Sequence, residues 1–274
     1  MTKTTLHLTA LAAALLLAAC GGKKNDDSNN DAPPAGSLLE AAKEKGVEAA
    51  KQDALPKPDA DRPLSSYPEL TSGQQVMFLY AAASKLPPDF EKMAEVYSRE
   101  YRQSSDAFRK NDLLQAIKPQ IEQGIAQAAA HPYAWVELED TQLESYDFQR
   151  KGFVVKEFEG GITRYFSDSP QYTYTWANRD QMAFAPVADE AIARELEAMR
   201  TRWDRKPRLK VFFFAQSADL NAQKVNAVVT RVQITDRSGR VLVEYGPDTS
   251  IPTNAPAAGK ECRGNPADCI MQGF

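Results

Sequence analysis

Between Ser72 and Ala130 the apolar side chains recur every three or four positions, and from Tyr133 onward they recur at every second one. The first spacing lays them along one stripe of a helix, the second along one face of a strand. Thr71 or Ser72 is placed to cap a first helix carrying Val76, Leu79 and Tyr80, which Pro87 and Pro88 stop. A second helix carries Phe90, Met93, Tyr97 and Tyr101. A third carries Leu114, Ile117, Ile121 and Ile125, with Pro119 set to kink or divide it.

The period-two stretches predict strands at "YAWVELE", "SYDFQRKGFVVKEF", "TRYFS" and "QYTYTWA". A helix then intervenes, marked by Ala188, Ile192, Leu196, Met199 and Trp203. "RLKVFFFAQ" follows, apolar on both faces in its middle, as expected of a central strand. "AVVTRVQITDRSGRVLVEY" reads as two strands joined at Asp236 to Gly239, with Gly239 suited to a positive φ. Helices first and strands afterwards predict an α+β fold: an N-terminal helical layer packed on a mostly antiparallel sheet with one inserted helix. We place this single domain at residues 67–274, long enough to enclose a substantial core.

The residues before it have a different character. A single Lys3 precedes an apolar run from Leu6 to Ala19, interrupted by His7 and Thr9. That run is shorter than the roughly 17 to 25 residues of a permanent membrane helix, and fits the apolar region of a cleaved signal peptide, residues 1–19. Residues 21–36 lack large apolar groups and are expected to stay unfolded. Ser37 and Glu40 stand at capping-box spacing before Leu38, Leu39, Ala42 and Val47, a short helix weakened by Gly46. "LPKPDADRP" is proline-rich and polar again. Residues 20–66 therefore read as a largely disordered tether, with an r.m.s. span of roughly 40 Å if treated as coil.

The junction "LLLAACGG" carries a resemblance. Leu17, Ala18, Ala19 and Cys20 resemble the lipobox of bacterial lipoproteins. The resemblance implies cleavage before Cys20, a diacylglyceryl group on its sulfur and a further acyl chain such as palmitate on its amine. Two or more acyl chains suffice for stable anchoring. It also implies outer-membrane sorting, facing the periplasm, because Gly21 stands where an aspartate would signal inner-membrane retention. The body of the chain, at "SYDFQRKGF" and "VQITDRSGRVL", is similar to a family of bacterial lipoproteins with a long polar tether and one α+β domain. That likeness implies no activity and no site residue.

With Cys20 lipidated, Cys262 and Cys269 remain as a pair inside "ECRGNPADCI". An oxidising compartment favours a small structural disulfide loop, and the spacing is wider than the C-x-x-C of redox-active pairs. Charge narrows the partners. Of 33 basic and 37 acidic side chains, the signal peptide removes only Lys3, leaving a formal charge of −5. Such a balance argues against general nucleic-acid binding.

The candidate chemistry is sparse. No motif for a serine or zinc hydrolase, a phosphate loop or a dinucleotide occurs, so no cofactor or metal is expected. His131 is the one histidine left after cleavage, and at the end of a predicted helix it reads as a cap in preference to a base. Glu137, Glu139, Asp140, Glu144 and Asp147 cluster between strands, where a carboxylate pair could hydrolyse an envelope polysaccharide. The alternation of Glu137 and Glu139 with Val136 and Leu138 is the pattern of a strand's solvent face, and that reading is preferred to an active site.

Two surfaces are candidates for binding. Tyr172, Tyr174 and Trp176 share one strand face, which would be a platform for sugars or a partner if open and core if helices cover it. Arg200, Arg202, Arg205, Lys206 and Arg208, followed by Lys210, form a basic stretch suited to anionic lipid or an acidic partner. The expectation is a membrane-anchored, non-enzymatic protein that binds an envelope protein, a glycan or anionic lipid. An envelope-polysaccharide hydrolase and an inhibitor or immunity protein against a periplasmic toxin are the alternatives.

Overall fold

The computed structural model describes residues 54–139 and 141–247. Cys20, Cys262, Cys269, the apolar run and the helix expected from Ser37 lie outside the described residues.

The helices come first, as their periodicity predicts. Helix α1 (Gly73–Ser84) opens with a reciprocal cap: the Ser72 hydroxyl accepts from the Gln75 N–H while the Gln75 side chain accepts from the Ser72 N–H. It ends at Lys85, which turns left-handed at φ 55°. The expected second helix is two. Ser98, extended at φ −126° and ψ 116°, ends α2 (Phe90–Tyr97), and its hydroxyl caps α3 (Arg99–Gln103) by accepting from the Tyr101 N–H. Ser competes with the helical ladder in this way wherever its oxygen finds a nearby N–H. Helix α4 (Ala107–Ala130) runs through Pro119 without dividing, and the proline faces solvent. Gly124 lets α4 approach α1 closely, because a Cβ there would stand 2.5 Å from the Phe78 ring.

The strands are β1 (Tyr133–Leu138), β2 (Gly152–Val154), β3 (Arg164–Tyr165), β4 (Thr173–Trp176), β5 (Phe184–Pro186), β6 (Arg208–Asp219), β7 (Lys224–Thr235) and β8 (Val241–Tyr245). Two helices lie among them: α5 (Arg179–Met182) and the expected inserted helix, α6 (Glu190–Arg200). The main sheet runs β1-β6-β7-β4-β3, with β8 also on β7, while β2 and β5 pair separately. All pairs are antiparallel except β4 with β7. The chain is an α+β fold.

One expected strand is largely a turn. Within "SYDFQRKGFVVKEF", the Asp147 carboxylate accepts from the N–H groups of Gln149 and Arg150, and Lys151 takes φ 54°. An Asx turn of this kind reverses the chain before β2 can lengthen. The hairpin expected at Asp236 to Gly239 is present, with Gly239 at φ 87°.

Strand β6 is central, and Val211 to Ala215 are all buried. Alternate residues explain this. Leu209, Val211 and Phe213 point to the side on which α1 packs, joining one core with Val76, Met77 and Ile121. Phe212 and Phe214 point to the other side and form a second cluster with Tyr67 and Tyr133. That second cluster is roofed by residues 54–67, which cross the outer face of the sheet as a strap. Residues 54–66, expected to belong to the tether, thus lie against the folded body. The Asp59 N–H donates to the Tyr133 hydroxyl at 2.8 Å, the Gln216 amide donates to the Pro56 carbonyl at 2.9 Å, and the Arg62 guanidinium sits 4.2 Å from the Tyr133 ring centre. Leu64 packs on the aromatics, and Tyr67 meets Tyr133 and Phe212 edge-on at 5.2 and 5.6 Å. Each such aromatic pair adds about 0.5–1.5 kcal/mol beyond its burial.

Two irregularities of the β6–β7 ladder hold the strap. The register shifts between Phe212 and Phe213, leaving Thr230 as the extra residue on β7, and again between Ala215 and Ser217, leaving Gln216 as the extra residue on β6. Bulges re-aim side chains. Here Gln216 reaches Pro56, and the Thr230 hydroxyl pairs with the Tyr67 hydroxyl at 3.1 Å.

Candidate binding site

The aromatic stripe faces inward. Tyr172, Tyr174 and Trp176 are 4%, 3% and 3% exposed: of the two readings the stripe allowed, the structure has core, and the possible binding surface is not there. The alternation of β4 directs Tyr174 and Trp176 to the helical side, where Tyr174 stacks on Phe213 with 7° between the planes. Burial pushes the Tyr174 hydroxyl well above the usual tyrosine range. Trp176 donates its ring N–H at 2.9 Å to Glu157, a buried carboxylate whose two oxygens also grip Arg164.

The basic stretch lies at the surface but is divided among partners. Arg200 pairs with Glu197, and its hydrogen bond holds that carboxyl below its ordinary range. Arg208 donates to Glu137 at 2.9 Å and lies 3.4 Å from Glu139, while Arg205 stands 3.8 Å from Asp204. Lys210 covers the Trp135 ring at 5.1 Å. Arg202 and Lys206 make no ion pair among the described residues.

The carboxylates meet cations or turns. Glu137 and Glu139 share Arg208, Glu144 binds Lys156, and Asp147 organises its turn. Asp140 lies outside the described residues. His131 ends α4 as its C-cap, its N–H donating to the Gln127 carbonyl at 2.9 Å, with the ring exposed. Among the described residues, no cluster of three or more His, Cys, Asp or Glu side chains is placed to hold a metal, and no helix is long and apolar enough to cross a membrane.

A concave site occurs elsewhere, where β7 changes partners. Along one edge β7 pairs with β6 throughout; along the other, Lys224 to Ala227 pair with β4 and Val232 to Thr235 with β8. Asn178 fills the break: its Oδ1 accepts from the Val229 N–H at 2.8 Å and its Nδ2 donates to the Val229 carbonyl at 2.9 Å. Over this split edge lies a cavity of about 600 Å³, within the range of small-molecule sites. Three stretches wall it: Pro58, Ala60 and Asp61 from the strap, Asn178 and Gln181 at α5, and β7 with the chain after β8.

Its polar groups differ in how they are committed. Thr230 is engaged with Tyr67 and with the Phe212 carbonyl. Arg231 lies 3.8 Å from Glu244, measured at Nε, and is 39% exposed. Asp61 forms no ion pair among the described residues. Gly246 matters by what it lacks: a Cβ there would lie 3.2 Å from Arg231 Nη1 and 3.1 Å from the Thr230 carbonyl. A glycine at a strand end marks close approach of another group, here a guanidinium laid against the main chain.

None of these residues stands out in the sequence, because Asp61, Gln181 and Arg231 belong to segments of opposite apparent character: tether, loop and strand. The one local signal is Asn178, a polar residue directly after a strand of alternating aromatics. No family model matches the chain, and neither the curated proteins nor the solved structures include one significantly similar to it.

Proposed function

We propose that the chain is a lipid-anchored binding protein of the bacterial envelope, held to the membrane through Cys20 and presenting its cavity to a ligand. The observation that carries the anchoring is the junction Leu17-Ala18-Ala19-Cys20 at the end of an apolar run too short to span a bilayer. Outer-membrane attachment facing the periplasm is part of the same proposal, because Gly21 follows the cysteine.

Binding rather than hydrolysis is supported by how the carboxylates are used. A glycosidase needs one acid kept neutral opposite one ionised partner, whereas Glu137, Glu139 and Glu144 are all engaged by cations. The cavity under the strap has the size and mixed lining of a ligand site.

Labelled palmitate tests the anchor. It is expected to enter the wild-type chain and not Cys20→Ala, and crosslinking in living cells is expected to capture envelope partners only with the anchored form. Label entering neither chain would remove the lipoprotein reading.

A further inference from the structure

We propose that the cavity at the split edge of β7 binds a short peptide with free ends, its ammonium on Asp61 and its carboxylate on Arg231. This rests on the reading of the cavity as the ligand site and names the chemistry of what enters.

The two charges come from different walls. Asp61 belongs to the strap and Arg231 to β7, and both line the same space of about 600 Å³. Arg231 comes no closer to Glu244 than 3.8 Å, beyond hydrogen-bond reach, and its side chain is 39% exposed, so its guanidinium is open to a ligand. Its planar fork matches a carboxylate. Gly246 permits this posture, since a Cβ would crowd Nη1 at 3.2 Å. The exposed Gln181 amide offers a donor and an acceptor for a peptide group. Pro58, Val228 and Pro247 supply apolar wall for a side chain.

The same lining disfavours the other candidates. An anionic lipid headgroup would meet the Asp61 carboxylate, and a neutral glycan would bring no charge to either Asp61 or Arg231. No aromatic ring lines the cavity for a sugar to stack on among the described residues.

Because Asp61 rides on the strap, a peptide held by both charges ties strap to sheet. Ligand and strap closure then stabilise one another to the same degree. Occupancy is therefore expected to slow chymotrypsin cleavage after Leu64, the strap residue packed on the sheet's outer aromatics.

The test is equilibrium dialysis of the full lipidated chain in detergent against a mixed tripeptide library, read by mass spectrometry. The library is used with free ends, with acetylated N-termini, and with amidated C-termini. The free library is expected to be retained about tenfold or more above either blocked form, the weight of one hydrogen bond to a charged group. Asp61→Asn and Arg231→Gln are each expected to lose retention by a similar factor and to abolish the slowing of chymotrypsin.

Retention of blocked and free peptides alike overturns the proposal while leaving the cavity a binding site. Retention undiminished in both variants places binding elsewhere and overturns it too. No retention of any library by the wild-type chain overturns it outright, whatever the palmitate result. If a chain ended after Pro247 retains the free library and the full chain does not, the cavity belongs to the protein's own last residues, and the peptide is not a free ligand. The comparison of blocked and free libraries uses the wild-type protein, so it does not depend on the folding of a variant.

Discussion

The side-chain amide of Asn178 lies against the main chain of Val229 and exchanges two hydrogen bonds with it, at 2.8 and 2.9 Å. It does there what a neighbouring strand does elsewhere in the sheet. Strand β4 ends at Trp176, and β8 first pairs at Tyr245 opposite Val232, so without the amide the Val229 N–H and C=O would face the cavity unpaired. Val229 itself is fully buried.

Asn178→Ala is accordingly expected to destabilise the domain by about 1–2 kcal/mol, the lower part of the cost of stranding buried backbone groups, because the cavity admits water. Asn178→Asp should not recover it, since a carboxylate accepts from the N–H but sets an oxygen against the Val229 carbonyl. Urea unfolding of the three chains decides this. An unchanged midpoint in Asn178→Ala would show that the amide is not holding the edge.

Glu157 is the buried centre of a second arrangement, gripping Arg164 and accepting from Trp176. Removing one member of a buried pair strands the other. The Arg164 side chain is 36% exposed and can return to water, so we expect Glu157→Ala to cost about 3 kcal/mol, the low end of the range for such pairs. Thermal denaturation of Glu157→Ala beside Glu157→Gln is the measurement. The amide, which keeps the Trp176 bond, should lose less.

The strap should come away before the body unfolds. Tyr133→Phe removes the acceptor for the Asp59 N–H while keeping the ring under Arg62. A single lost hydrogen bond is worth about 0.5–1.5 kcal/mol. Cleavage by chymotrypsin after Leu64 is expected to quicken severalfold, with a far smaller change in the global melting temperature. Equal rates in both chains would mean that the hydroxyl contributes nothing to closure.

Acid should weaken the β7–β8 turn. The Ser238 hydroxyl, the Arg240 N–H and the Arg240 guanidinium, with the Ser238 N–H, hold the Asp236 carboxyl down from 3.8 to about 2. A carboxyl that titrates lower when folded contributes stability above its unfolded value, and that contribution is lost as pH falls through the folded one. Stability of the wild type is therefore expected to fall between about pH 4 and pH 2 more steeply than that of Asp236→Asn. Parallel slopes in urea titrations across that window would rule out the turn as the source.

What could be read from the sequence followed from periodicity and capping chemistry. Ser72 with Gln75, the apolar run of β6 and the Asp236 to Gly239 turn all carry their structural reason within a few residues. The Ser98 break is local too, but it was hidden because Met93, Tyr97 and Tyr101 keep helical spacing across it. The Tyr172 to Trp176 stripe is visible as a pattern, whereas its burial depends on α1, which lies about 90 residues earlier. The strap has neither period nor apolar weight: its place is fixed by the two bulge residues, Gln216 and Thr230, and by Tyr133, all distant in sequence. The cavity is illegible for the same reason, being a product of where the ladder fails to continue.

The strap also fixes how the molecule would respond to mechanical load. Tension drawn through the chain from residue 54 reaches Pro56 first, then Asp59, then Arg62, each held by a separate contact on the sheet. Contacts loaded one after another rupture singly at low force. The load then meets Pro68 to Leu70, joined to β1 by two main-chain bonds: the Leu70 N–H donates to the Trp135 carbonyl at 2.7 Å, and the Trp135 N–H to the Pro68 carbonyl at 2.9 Å. The domain thus carries a short compliant lead in series with a stiff body, able to lengthen under a pull applied at residue 54 while its core stays closed.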